Sequence, residues 1–165
     1  MKKVFLIAAI AVASFSVKAQ DGSGNTGLKF GVGVNLGIPV SNLDGASIGA
    51  GIDLLGQYGL SEQFAITVDA GYTNIFAKDD GLDLSLIPIR GGIRFYATPA
   101  LYFGAKAGVG IAKTKGFDGV TTTAYSFGGG YKLDDKFDVG ATYDGYSKNG
   151  SFGLINIRLG YTFGN

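Results

Sequence analysis

Few side chains in this sequence can do chemistry. Its 165 residues include no His and no Cys, which removes the usual general base, the thiol nucleophile, the commonest transition-metal ligand and the lipidated cysteine of a lipoprotein. Asp79, Asp80 and Asp83 stand close enough to hold a hard cation, but their spacing departs from the Asp-x-Asp-x-Asp-Gly calcium loop, and a solvated loop is the expected reading. Gly31-Val32-Gly33 and Gly108-Val109-Gly110 offer the glycines of a phosphate-binding turn. That fingerprint needs a helix directly after it, and here a two-residue alternation simply continues. What remains is charge of both signs embedded in apolar segments. Asp53, Asp69, Arg90, Arg94, Lys106 and Arg158 are the candidates for an ion-paired network, and Lys29, Lys132, Asp138 and Asp144 share their face. This arrangement points to pairing rather than turnover, so no enzyme activity and no cofactor are expected.

The elements that carry these charges read as strands, because apolar residues recur every second position. Leu28, Phe30, Val32, Val34, Leu36 and Ile38 oppose Lys29, Gly31, Gly33, Asn35 and Gly37. Ile52, Leu54 and Tyr58 oppose Asp53 and Gln57, with Leu55 breaking the polar face. The same rule places Asp69 opposite Val68 and Ala70, Arg90 and Arg94 opposite Ile89 and Ile93, Lys106 opposite Ala105 and Ala107, and Arg158 opposite Ile157 and Leu159. Eight such segments of roughly ten residues follow one another, the length a tilted strand needs to cross a bilayer. Long connections carry Asp44-Gly45, Asp80-Gly81, Asp118-Gly119 and Asn149-Gly150. Short ones are Ser61-Glu62-Gln63, Ala97-Thr98-Pro99 and Asp134-Asp135-Lys136. The predicted fold is all-β, an eight-stranded antiparallel up-and-down transmembrane barrel.

Alternation alone does not say which face is inside. The 29 glycines do. Nearly every strand sets them on the same face as its charges, where a soluble surface has no use for them but a narrow lumen filled by long side chains needs small neighbours. The apolar face is therefore assigned to lipid. Phe30, Tyr58, Phe64, Phe95, Phe103, Phe137, Tyr161 and Phe163 fall near the short-turn end and Tyr72, Tyr125 and Tyr143 near the loop end, as two interfacial girdles require.

Lys2 and Lys3, the apolar stretch Val4 to Phe15, and Val17-Lys18-Ala19 before Gln20 read as a signal peptide over 1–19. Residues 20–26 are expected to be a flexible leader, and 27–165 the barrel domain. Without Lys2, Lys3 and Lys18, eleven basic residues face thirteen acidic ones, with no basic run for nucleic acid.

At Lys18-Ala19-Gln20, Ile87-Pro88-Ile89-Arg90-Gly91-Gly92 with Arg94-Phe95-Tyr96, Phe103-Gly104-Ala105-Lys106-Ala107-Gly108-Val109-Gly110 and Leu159-Gly160-Tyr161-Thr162-Phe163, the chain resembles the small outer-membrane β-barrel proteins of Gram-negative bacteria. The likeness is to the eight-stranded OmpA/OmpX-like type, especially the barrel-domain proteins of Bacteroidota. It implies export to the cell outer membrane, outer-membrane lipids and the outer-membrane assembly machinery as partners, a monomer, and an unnamed extracellular partner met through the loops. A structural or surface-interaction role is the expected function. The alternatives are a narrow, porin-like transporter for small or hydrophobic solutes, and a secreted soluble barrel with its faces inverted.

Overall fold

The computed structural model describes residues 24–41, 46–78, 83–114, 116–148 and 150–163. The expected signal peptide at 1–19 lies outside them, as do Asp44-Gly45, Asp80-Gly81 and Asn149 of the long connections. The strands are β1 (Gly27–Ser41), β2 (Ala46–Gly59), β3 (Phe64–Ala77), β4 (Leu84–Tyr96), β5 (Leu101–Thr114), β6 (Val120–Lys132), β7 (Phe137–Ser147) and β8 (Ser151–Phe163). Each pairs antiparallel with its sequence neighbours. β1 also pairs with β8 from Phe30↔Phe163 to Ser41↔Gly153, with a register shift between Pro39 and Ser41, and this closes the barrel. Closure removes the free edges that an open sheet would expose to lipid.

The faces are those of a membrane barrel. Among the described residues, thirty-four large hydrophobic side chains are exposed and only nine hydrophobic residues are buried. Each Val, Leu or Ile left in water forgoes about 1.5–3 kcal/mol, so this distribution requires a lipid surround. Val34, Ile52, Val68 and Ile93 point outward, while Gln57, Asp69, Arg90, Ser126, Asp138, Asp144 and Asn156 are buried inside.

The strands run longer than the expected ten residues, from 11 in β7 to 15 in β1. Much of the extra length is at the long-loop end, and there the inward face turns apolar. Ile75, Leu86, Ala124, Tyr146 and Leu154 form a buried cluster, with Ala46, Leu84, Ala112 and Phe152 packed against it. Tyr146 and Phe152 stack at 5.1 Å. The alternation of period two fixes which residues face in, but says nothing about where the lumen changes from polar to apolar.

The three short turns share one device. Ser61, Thr98 and Asp134 each turn a side-chain oxygen onto the backbone N–H groups two and three residues on. Ser61 Oγ accepts from Gln63 and Phe64 at 3.3 and 3.1 Å, Thr98 Oγ1 from Ala100 and Leu101 at 3.3 and 2.9 Å, and Asp134 Oδ1 from Lys136 and Phe137 at 2.7 and 2.6 Å. These side chains replace the backbone partners that a tight reversal cannot supply. The N–H groups of Phe137 and Lys136 also hold the Asp134 carboxyl below its usual range.

Glycines on the adjacent strands β4 and β5 differ sharply in the room around them. A Cβ on Gly108 would lie 2.1 Å from the Ile89 carbonyl oxygen and 2.8 Å from the Arg90 Cα, both backbone atoms, whereas one on Gly91 would meet only the Thr67 carbonyl at 3.9 Å.

Two outcomes follow from these local features. Gly108→Ala should destabilise the folded barrel by about 1–3 kcal/mol, the usual cost of overpacking, while Gly91→Ala should leave the urea midpoint near that of the parent. For Asp134, a depressed folded-state pKa adds stability that is present above the ordinary carboxylate pKa and lost as the pH falls through the folded one. The gap in urea midpoint between the parent and Asp134→Ala should therefore be widest near neutrality and narrow below the carboxylate range.

Candidate functional site: the lumen charge networks

Period two places the candidate charges on the inner wall, and the antiparallel register sets them at related heights. Asp69 and Arg90 are direct partners across β3 and β4. Arg90 forks onto Asp69, with Nε donating to Oδ1 at 3.1 Å and Nη2 to Oδ2 at 2.8 Å, and its Nη1 crosses the lumen to Asp144 Oδ2 on β7 at 2.9 Å. Lys106 Nζ on β5 donates to Asp69 Oδ2 at 2.7 Å. The Thr142 hydroxyl and the Asn156 amide complete Asp144 at 2.9 and 2.8 Å. Arg90 and Asp69 are 7% and 4% exposed.

A second network lies toward β1 and β8. Arg158 Nη2 and Nε donate to Asp53 Oδ1 at 2.8 and 2.9 Å, and its Nη1 donates to Asp138 Oδ2 at 3.0 Å. The Tyr102 hydroxyl reaches Asp138 at 3.3 Å, and Asn35 Nδ2 reaches Asp53 at 3.4 Å. Glycines make the room. A Cβ on Gly33 would sit 2.5 Å from Arg158 Nε, and one on Gly160 would sit 2.1 Å from Arg158 Nη1. Lys106 likewise passes over Gly92, where a Cβ would lie 2.6 Å from its Cγ.

The expected set thus divides. Asp69, Arg90 and Lys106 form one network, and Asp53 and Arg158 belong to another. Arg94 joins neither by an ion pair. It donates from Nη1 to Gln57 Oε1 at 2.9 Å and lies with its guanidinium carbon 4.0 Å from the centre of the Tyr102 ring. Asp138 and Asp144 prove to be as integral as the six candidates, each the second carboxylate of one arginine. Parity places them on the inner wall with the other charges, but which charges meet is set by strand tilt, which brings residues of unequal sequence depth to one level. Gln57, Tyr96 and Tyr102 were also missed as partners, although their parity already placed them inside.

Along β4, from the short-turn end, the order is Tyr96, Arg94, Arg90 and Leu86. Tyr96 and Tyr102 pack edge-on at 5.8 Å. The lumen is therefore layered into an aromatic and arginine floor, an ion-paired middle and an apolar cap.

This geometry pairs charges of opposite sign within the lumen. Among the described residues no group of three or more acidic side chains is arranged to hold a metal ion. Of the three loop aspartates, Asp79 and Asp80 lie outside the described residues, and Asp83 accepts the Ala77 N–H at 3.1 Å. The two Gly-Val-Gly segments lie within β1 and β5.

A family model described as the outer membrane protein beta-barrel domain matches residues 7–163. The chain belongs to the outer membrane protein beta-barrel domain family. Membership of this family places the protein in the outer membrane. Among solved structures, the N-terminal β-barrel domain of Pseudomonas aeruginosa OprF superposes with a TM-score of 0.61 at 14% identity, over 82% of this chain and 97% of that one. Ail, the attachment invasion locus protein of Yersinia pestis, gives 0.58 at 16%, over 82% and 96%. Neisserial surface protein A gives 0.57 at 17%, over 82% and 98%. At these identities the likeness is one of fold. No curated protein matches the sequence significantly.

Removing Arg158 would leave Asp53 and Asp138 facing each other without a cation. Breaking a buried pair in this way costs about 3–5 kcal/mol. Arg158→Ala should lower the urea unfolding midpoint by the corresponding amount, whereas Lys148→Ala, at an exposed position, should change it little.

Proposed function

We propose that this outer-membrane barrel is a non-catalytic, sealed scaffold whose work is done by the surface at its long-loop end. The observation that carries this reading is the ion pairing inside the lumen, where Arg90 reaches across from β4 to β7 and Arg158 ties β8 to β2 and β7. Arg90 and Arg158 each hold carboxylates from two other strands, and eight strands enclose only enough width for side chains to fill. The apolar cluster around Leu86 and Leu154 adds a second barrier at the loop end. A continuous column of water would have to break ion pairs and wet that cluster together.

In barrels of this class the short turns are periplasmic and the long loops extracellular, so the long-loop end is what a cell presents. Ail, a barrel of the same fold, is named for attachment and invasion and has been solved with the heparin analogue sucrose octasulfate. That supports the idea that a barrel of this size serves as a platform for surface contact.

In planar bilayers the purified protein should give no steady conductance. A stable, ion-selective conductance would replace this reading with that of a narrow channel. On intact cells, an epitope inserted between Asp118 and Gly119 should be reached by antibody, and one between Asp134 and Asp135 should stay hidden until the envelope is opened. The reverse pattern would invert the topology.

A further inference from the structure

The expected leader over residues 20–26 is described only from Gly24, and there it is fixed in place. Asn25 is 2% exposed, although it precedes the first strand. Its backbone N–H donates to Glu62 Oε2 at 3.2 Å, and its side-chain amide donates to the carbonyl of Glu62 at 3.2 Å and, at 3.5 Å, to that of Pro99. Its Oδ1 accepts from Lys132 Nζ at 3.2 Å, and the carbonyl of Gly24 accepts from Lys29 Nζ. One short segment therefore ties together the β2–β3 turn, the β4–β5 turn and the end of β6.

The path of this segment is prepared by glycine. Gly24 and Gly27 have φ of 70° and 81°, in the left-handed region that other residues rarely adopt. A Cβ on Gly59 would lie 2.0 Å from the Asn25 carbonyl oxygen and 2.7 Å from the Thr26 Cα, so that position must stay bare for the segment to cross. Beneath it is a cavity of about 30 Å³ lined by Asn25 and Leu55 and by charges of both signs, Lys29, Arg94 and Lys132 beside Asp135 and Asp138, room for about one water. Lys29 and Lys132 face inward at this mouth, and the oxygens of the segment are among their acceptors.

We infer that Gly24–Thr26 is a strap that lids the short-turn mouth of the barrel, closing a small vestibule of mixed charge whose inner wall includes Gln57, Arg94 and Tyr96. The strap is a closure separate from the ion-paired seal above it. Its release would admit periplasmic water and small solutes to Lys29, Lys132 and Arg94 while the lumen beyond stays shut.

The absence of native cysteine permits a direct test by single-cysteine labelling of the folded protein in lipid vesicles, with a small polar maleimide as probe. Leu55→Cys reports the vestibule, and Ser126→Cys, on β6 and 3% exposed in the parent, reports the lumen above it. Asn25→Ala removes the three side-chain hydrogen bonds, and Gly59→Ala displaces the strap by collision. Retained heat-dependent migration in SDS gels identifies folded protein in every case. In both variant backgrounds the vestibule cysteine should react at least about tenfold faster, equivalent to about 1.4 kcal/mol of lost closure, with the Ser126 site unchanged. Equal rates with and without the strap contacts would overturn the proposal. Acceleration at both sites would also overturn it, since the strap would then be holding the whole barrel. Fast labelling at the Ser126 site in the otherwise unaltered protein would refute the sealed lumen and leave the strap to be judged on the Leu55 site alone.

Discussion

A ring of eight strands with its apolar face turned to lipid must satisfy every charge it carries inward from within itself. Water is scarce in so narrow a lumen, and an unpaired ion there carries a desolvation cost of several kcal/mol. Most of the interior follows from this constraint. Arg90 and Arg158 are arginines because a planar fork can grip one carboxylate with two N–H groups and still present a third to another. The glycines beside them, Gly33, Gly92 and Gly160, are bare because the side chains that neutralise one another must lie flat across the neighbouring strand. The result is a set of crosslinks that runs between non-adjacent strands: β4 to β7, β5 to β3, β8 to β2 and β2 to β4. The backbone ladder closes the circle, and these bonds fix its cross-section.

The outer face uses glycine differently. Gly145 and Gly153 point toward lipid yet are buried, because aromatic rings lie over them. A Cβ on Gly145 would come within 2.2 Å of the Tyr125 ring, and one on Gly153 within 2.2 Å of the Tyr143 hydroxyl. Phe30 opposite Gly56 and Phe103 opposite Gly129 are cross-strand pairs of the same kind. Segregation of glycine with charge holds for the inner wall, where room is needed for long polar chains. The outward exceptions are seats for rings, which gain contact area by lying flat on a strand with no side chain of its own.

How much of this was legible in the sequence depends on the range of the interaction. Facing direction is set by a residue's own parity, so the inward placement of Asp53, Asp69, Arg90, Arg94, Lys106 and Arg158 could be read directly. Pairing depends on the stagger of tilted strands, which no local pattern encodes. The candidate set therefore left Asp138 and Asp144 outside it, although parity puts them on the same face, and grouped Arg94 with the ion-paired residues. The apolar cap went unrecognised because Ile75, Leu86 and Leu154 lie where the expected segments had already ended. The strap was hidden for a different reason: Gly24-Asn25-Thr26 has the composition of a loose leader, and its order comes from acceptors on Glu62 and Pro99, far along the chain. One signal did exist. Lys29 and Lys132 face inward at the mouth, where the carboxylate opposite Lys132, Asp138, is already engaged by Arg158, and ammonium groups in that position need further oxygen acceptors.

Charge balance explains why Arg94 stands apart. The network of Arg90 and Lys106 with Asp69 and Asp144 is neutral, whereas Arg158 with Asp53 and Asp138 carries one excess negative charge. Arg94 supplies the missing positive charge through an intermediary. Its guanidinium lies on the face of Tyr102, whose hydroxyl donates to Asp138. A donor in that position stabilises the carboxylate, and a cation over the ring strengthens the donor by drawing charge from it. A direct ion pair would have drawn Arg94 up into the middle layer and left the floor beneath Tyr96 and Tyr102 without its polar anchor on Gln57. Holding the fourth cation on an aromatic face balances the charge of the two networks and keeps that guanidinium at the boundary between the sealed interior and the vestibule under Asn25.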